Sequence, residues 1–66
     1  SGLYEIETTS GIFTQIDVLD IHGKTIGFQK DRNSKVIVDL TSLPKGLYVV
    51  RLKIESGEIK ILKITN

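Results

Sequence analysis

The sequence predicts an all-β domain, a small antiparallel sandwich or barrel, on three observations. Apolar and polar residues alternate with period two along most of the chain, and helical spacing is almost absent. The alternating runs are short and are bounded at regular intervals by turn signals: Ser10-Gly11, His22-Gly23 and Ser56-Gly57. A chain of 66 residues is one domain at most. Lone hairpins are unstable, so these runs must stack into two layers to bury their apolar faces.

Leu3 to Thr8 reads as a first strand, ended by Ser10-Gly11. Phe13 to Asp20 reads as a second, with Ile16 and Val18 on one face and Gln15 and Asp17 on the other. His22-Gly23 then signals a tight turn, because glycine accepts the positive φ that hairpin turns require. Lys24 to Gln29 reads as a third strand, and Lys30 to Ser34 as a polar loop. Lys35 to Asp39 follows as a fourth strand, with Val36 and Val38 on one face. Pro44 has no backbone donor, so Thr41 to Gly46 cannot continue a strand. Thr41 or Ser42 is placed to cap a single helical or 3₁₀ turn there. From Tyr48 to Ile54 the alternation is clean, with Tyr48, Val50, Leu52 and Ile54 on one face. Glu58 to Ile64 reads as the last strand, in which Lys60, Leu62 and Ile64 share a face. The expected core is Ile16, Val18, Val38, Leu40, Leu43, Tyr48, Val50 and Leu52. A domain this small buries only ~60% of the surface its unfolded chain exposes, so its stability margin is thin.

Composition excludes several functions. There is no cysteine, hence no disulfide and no thiolate for metal binding or nucleophilic attack. The net charge is +1, from 9 basic and 8 acidic side chains spread along the chain. A nucleic-acid footprint needs basic residues massed on one face, so no nucleic-acid partner is expected. Tyr4, Phe13, Phe28 and Tyr48 are too few and too scattered for a base-stacking platform. No apolar run approaches the roughly 18–20 residues needed to cross a bilayer, and no membrane insertion is expected. No charged segment followed by an apolar one marks a signal peptide at the start.

Catalytic patterns are equally sparse. His22 sits beside Gly23 in an expected turn, with no partner to orient it as a base or ligand. Asp17 and Asp20 lie three apart on a strand and point to opposite faces, so they do not converge on one ion. Asp20 and Asp39 each end a strand and are expected to bind local backbone, as aspartate does in turns. Glu5 and Glu7 share a solvated face, whereas glycosidase carboxylates oppose one another across a cleft. Phosphate-loop, dinucleotide, zinc-protease and serine-hydrolase motifs are all missing. The expectation is no enzyme, no cofactor and no metal.

Three segments carry a resemblance when taken in order: "IDVLDIHGKTI", "VIVDLTSLPKGLYVVRL" and "GEIKILKITN". Over about 50 residues the chain resembles the type A C-terminal sorting domain of cargo proteins of the type IX secretion system. The matching pieces are Asp20 to Lys24 around Gly23, Asp39 to Leu43, Gly46-Leu47-Tyr48, and Lys60 to Lys63. No single piece is specific; their order and spacing carry the likeness. The resemblance implies an Ig-like β-sandwich, usually of seven strands, where six are counted here. It implies a targeting module riding on a larger cargo in Gram-negative bacteria. The cargo crosses the periplasm, meets the outer-membrane translocon and a sortase-like peptidase, and ends at the cell surface or secreted. By the same resemblance Gly46, Tyr48 and Lys60 are the recognition candidates, while Asp20, Gly23, Asp39 and Leu43 are structural motif positions. Gly46 can equally be required for its backbone angles, and Tyr48 can equally fill the core with its hydroxyl tied to a loop. Lys60 alternates with apolar residues, so its charge lies at the sheet rim or meets a partner.

Family members usually begin with an Asn-Pro segment, and the expectation is that residues 1–66 are one domain lacking it. The sequence fits a trimmed domain, a fragment starting inside the domain, or a Ser1-Gly2 cloning remnant. A missing strand would leave an open sheet edge that invites pairing with a second copy. The competing reading is a generic Ig-like or fibronectin-like accessory or spacer domain of a secreted enzyme. An enzyme reading would return only if Glu5, Glu7, Asp17 and Asp39 lined one pocket.

Overall fold

The computed structural model describes residues 2–66, and within them each alternating run forms a strand. The strands are β1 (Leu3–Glu7), β2 (Phe13–Leu19), β3 (Thr25–Asn33), β4 (Lys35–Asp39), β5 (Leu47–Ile54) and β6 (Ile59–Thr65). There is no helix among the described residues. Ser1, part of the Ser1-Gly2 remnant named as one of three alternatives for the start, lies outside them.

All pairings are antiparallel. A small sheet pairs β1 with β4, and a larger sheet runs β3-β2-β5-β6. The shortest dimension of the molecule is 16 Å, which fits two sheets packed about 10 Å apart. This is the all-β sandwich expected from the alternation.

The register sorts side chains between the two faces of the larger sheet, because directly opposed residues point the same way. The row Ile16–Leu52–Lys60 and the row Val18–Val50–Leu62 face the small sheet. The row Asp17–Arg51–Ile61 faces away from it. From the small sheet Val36 and Val38 point into the core, opposite half-buried Ile6 and Tyr4. The core holds seven of the eight expected residues, all but Leu43, and adds Phe13, Val36, Ile54 and Ile64.

Three expectations are corrected. Phe13 would share a face with Gln15 and Asp17 on strict alternation, yet it is 1% exposed. A register shift between Phe13 and Gln15 against both neighbouring strands turns it inward, since a bulge reverses the pleat. The expected polar loop after Gln29 is instead the second half of β3, which continues to Asn33. As an edge strand it buries almost nothing, so it carries no apolar pattern. The third correction concerns residues 41–46. The Leu43 amide donates to the Leu40 carbonyl at 3.0 Å, closing one turn, but no helical turn forms. The capping side chain is that of Asp39, not of Thr41 or Ser42. Leu43 packs against the core only half-buried.

Candidate functional site

The candidate site is the Thr41–Gly46 loop with the strand ends that hold it. Asp39 starts it. Its Oδ1 accepts the Thr41 amide at 2.9 Å and the Thr41 hydroxyl at 2.6 Å. The hydroxyl bond, with the amide bond second, draws the Asp39 carboxyl below its ordinary value. Tyr48 is 6% exposed, and its hydroxyl donates to the Pro44 carbonyl. The core-filling reading of its ring and the loop-tying reading of its hydroxyl therefore both hold.

The loop's main anchor is a residue that sequence reasoning missed. The Asn66 side-chain amide donates to the carbonyls of Leu40 at 3.0 Å, Leu43 at 3.3 Å and Pro44 at 3.4 Å. Its backbone amide donates to the Gly46 carbonyl at 2.8 Å, and the Gly46 amide donates back at 3.4 Å. Gly46 has φ 153°, a region that favours glycine. A Cβ there would meet nothing within 4 Å, so the backbone angle rather than space sets the requirement.

Lys60 does not join this cluster. It pairs with Leu52, four residues along β6 from the Tyr48–Ile64 pair, or about 13 Å at strand rise. It points toward the core side but lies on the outermost strand and is exposed, the rim position named as one of its two alternatives. Asp20 and Gly23 build a separate hairpin turn. Asp20 Oδ1 accepts the amides of His22 and Lys24, both at 2.9 Å, and Gly23 has φ 82°. The Lys24 amide is the main cause of a lowered Asp20 carboxyl.

A second missed feature lies on the outward face of the larger sheet. Arg51 Nε and Nη2 donate to Asp17 Oδ2 at 3.1 and 3.0 Å, and the Asp17 side chain is only 7% exposed. Gln15, Lys53 and Ile59 complete a shallow cleft of about 210 Å³ around the pair. Asp39 borders a different cleft, beside Ile37 and Val38. Glu5 and Glu7 lie on the outer side of β1 and line neither. The four carboxylates thus do not converge on one pocket.

The loop, its two anchors and the Asp-closed turn coincide with the segments that carry the sorting-domain resemblance. A family model described as secretion system C-terminal sorting domain matches residues 1–65. The chain belongs to that family. The family is that of type IX C-terminal sorting signals, so this sandwich is an export signal for the cell surface or medium rather than a generic spacer. No curated protein and no solved structure matches the chain.

Proposed function

We propose that this sorting domain directs a larger cargo, attached N-terminal to it, from the periplasm through the type IX outer-membrane translocon. A sortase-like peptidase then acts at the cell surface. The carrying observation is the family match over residues 1–65. The ordered Thr41–Gly46 loop supports a recognition role for that end of the sandwich, with Gly46 shaping the loop and Tyr48 fixing it from the core. Lys60 offers a free charge on the neighbouring edge strand: among the described residues no carboxylate pairs with it. The domain itself acts as a signal and performs no chemistry.

A fluorescent protein exported to the periplasm by its own N-terminal signal and fused to this chain tests the reading in a host with the type IX system. The reporter is expected at the surface or in the medium, and deletion of residues 58–66 is expected to keep it inside. A folded fusion that stays in the periplasm would overturn the reading.

A further inference from the structure

The small sheet has two strands where the sheet facing it has four, so part of the larger sheet is left uncovered. The uncovered part is β3. Gly27 and Gln29 pair with Val18 and Ile16, which puts them on the core side, yet Gln29 is exposed. A cleft of about 240 Å³ lies between that face and the free edge of β4, with Ile16, Val18 and Gly27 as its floor and Ile37, Val38 and Asp39 as its wall. The wall offers backbone groups. At the two ends of the β1–β4 ladder the Thr8 amide donates to the Ser34 carbonyl and the Leu40 amide to the Gly2 carbonyl. An antiparallel ladder bonds every second residue of a strand. Val36 and Val38 therefore turn their backbone groups to β1, and Lys35, Ile37 and Asp39 turn theirs to the cleft. The Lys35 amide donates to Asn33 Oδ1 at 3.2 Å, and among the described residues no strand pairs with β4 on this side. The other free edges are guarded by irregularities and charges of the kind that block strand pairing. β3 has two register shifts and carries Lys30, Asp31 and Arg32, β6 points Lys60 inward, and β1 presents the like charges of Glu5 and Glu7. β4 instead carries opposite charges at its two ends, Lys35 and Asp39, with Ile37 between them.

We infer that this cleft takes an extended peptide segment of another protein, which pairs antiparallel with β4 as a third strand of the small sheet. In such additions the main-chain bonds give affinity and the alternate side chains give specificity. The inward side chains of the added strand fall on Ile16, Val18 and Gly27, so they are apolar, and the missing Cβ of Gly27 leaves them room. On the outward face, opposite charges directly across an antiparallel pair are favourable and like charges are not. The segment therefore reads basic, apolar, apolar, apolar, acidic from its N-terminus, with the basic residue opposite Asp39 and the acidic one opposite Lys35. A second copy of the chain does not fit, although its own β4 has this pattern. A two-fold axis through a β4–β4 pair would bring the copy's β3 beneath β4, where Val36 and Val38 already rest on the first copy's sheet. A single strand has no second layer to place. The inference stands independently of the sorting reading.

The probe is a fluorescein-labelled peptide, Gly-Lys-Val-Tyr-Val-Glu-Gly with blocked ends, titrated into the purified chain. Saturable binding is expected, with hydrogen exchange slowed at the amides of Ile37 and Asp39 and unchanged along β6. Gly27→Val fills the floor. The backbone of Gly27 is not left-handed, and a Cβ there would meet the Val18 Cβ at an ordinary 3.5 Å, so this variant folds. Ile37→Pro removes a donor that faces the cleft, a position where an edge strand tolerates proline. Each should weaken the peptide roughly tenfold or more. Lys35→Glu should weaken it by a smaller factor, and a peptide with Lys in place of its Glu should restore binding to that variant. This charge swap carries the test if circular dichroism melts show Gly27→Val or Ile37→Pro unfolded. Absence of saturable binding up to the peptide's solubility, equal binding by all three variants, or protection of another edge overturns the inference. Sedimentation of the chain alone as a dimer, abolished by Ile37→Pro, overturns it in favour of a second copy.

Discussion

Asn66 holds the carbonyls of Leu40, Leu43 and Pro44 with a single side-chain amide. Asn66→Ala leaves the backbone pair with Gly46 in place but frees the loop's interior carbonyls. The expected cost is about 1 kcal/mol, or ~4–8 °C in melting temperature for a domain this size. Hydrogen exchange should speed up selectively at residues 41–46, and uniform acceleration would contradict the anchoring role. Tyr48→Phe removes only the bond to Pro44 and should cost a similar ~1 kcal/mol without loosening the core. The two aspartates add a pH dependence. Both carboxyls titrate below the ordinary 3.8, Asp20 chiefly through the Lys24 amide and Asp39 chiefly through the Thr41 hydroxyl. A depressed folded value means the turns gain stability above 3.8 and lose it as pH falls through the lower folded values. The amide shifts of His22, Lys24 and Thr41 should therefore titrate with midpoints under 3.8. A midpoint at or above that value contradicts the hydrogen bonds. These aspartates were legible in the sequence because their partners lie within four residues. Asn66 and the Asp17–Arg51 pair were not, because their partners lie 22 to 34 residues away.

At the scale of the strand, alternation located all six elements because each central strand buries one face and exposes the other. It failed where the pleat is interrupted or where nothing is buried. The irregularity at Thr14 turns Phe13 inward against its parity, and the edge position of β3 removes the pattern that would have extended it past Gln29. The bulge makes a further expectation. Phe13 sits opposite Ile54, both 1% exposed, so Phe13→Ala should cost ~3–5 kcal/mol. A domain of this length has roughly 3–10 kcal/mol in total, so this variant should lose roughly a third or more of its stability, read as a clearly lowered midpoint in a urea titration at 25 °C. If it melts within a few degrees of the parent, Phe13 is not the core residue that the bulge makes it.

For the whole molecule, β6 does two jobs at once. It pairs with β5 along seven residues and contributes Ile64 to the core, and the Asn66 that follows it anchors the loop. Export loss on deleting residues 58–66 therefore confounds two causes: a ruined sandwich and a released recognition loop. Without β6 the strand that carries Tyr48, Val50 and Leu52 becomes a bare edge, and an open apolar edge aggregates or pairs. The deleted chain is expected to show no cooperative melt and to bind a hydrophobic dye. Asn66→Ala keeps β6, the Gly46 backbone pair and the core, so it should retain a cooperative transition at slightly lower temperature. Comparing the two variants in the reporter assay resolves the causes. If Asn66→Ala is folded yet its export falls well below the parent's, the shape of the Thr41–Gly46 loop is what the apparatus reads. If Asn66→Ala is exported like the parent while the deletion is not, the loop's shape is dispensable, and the intact sandwich is the signal.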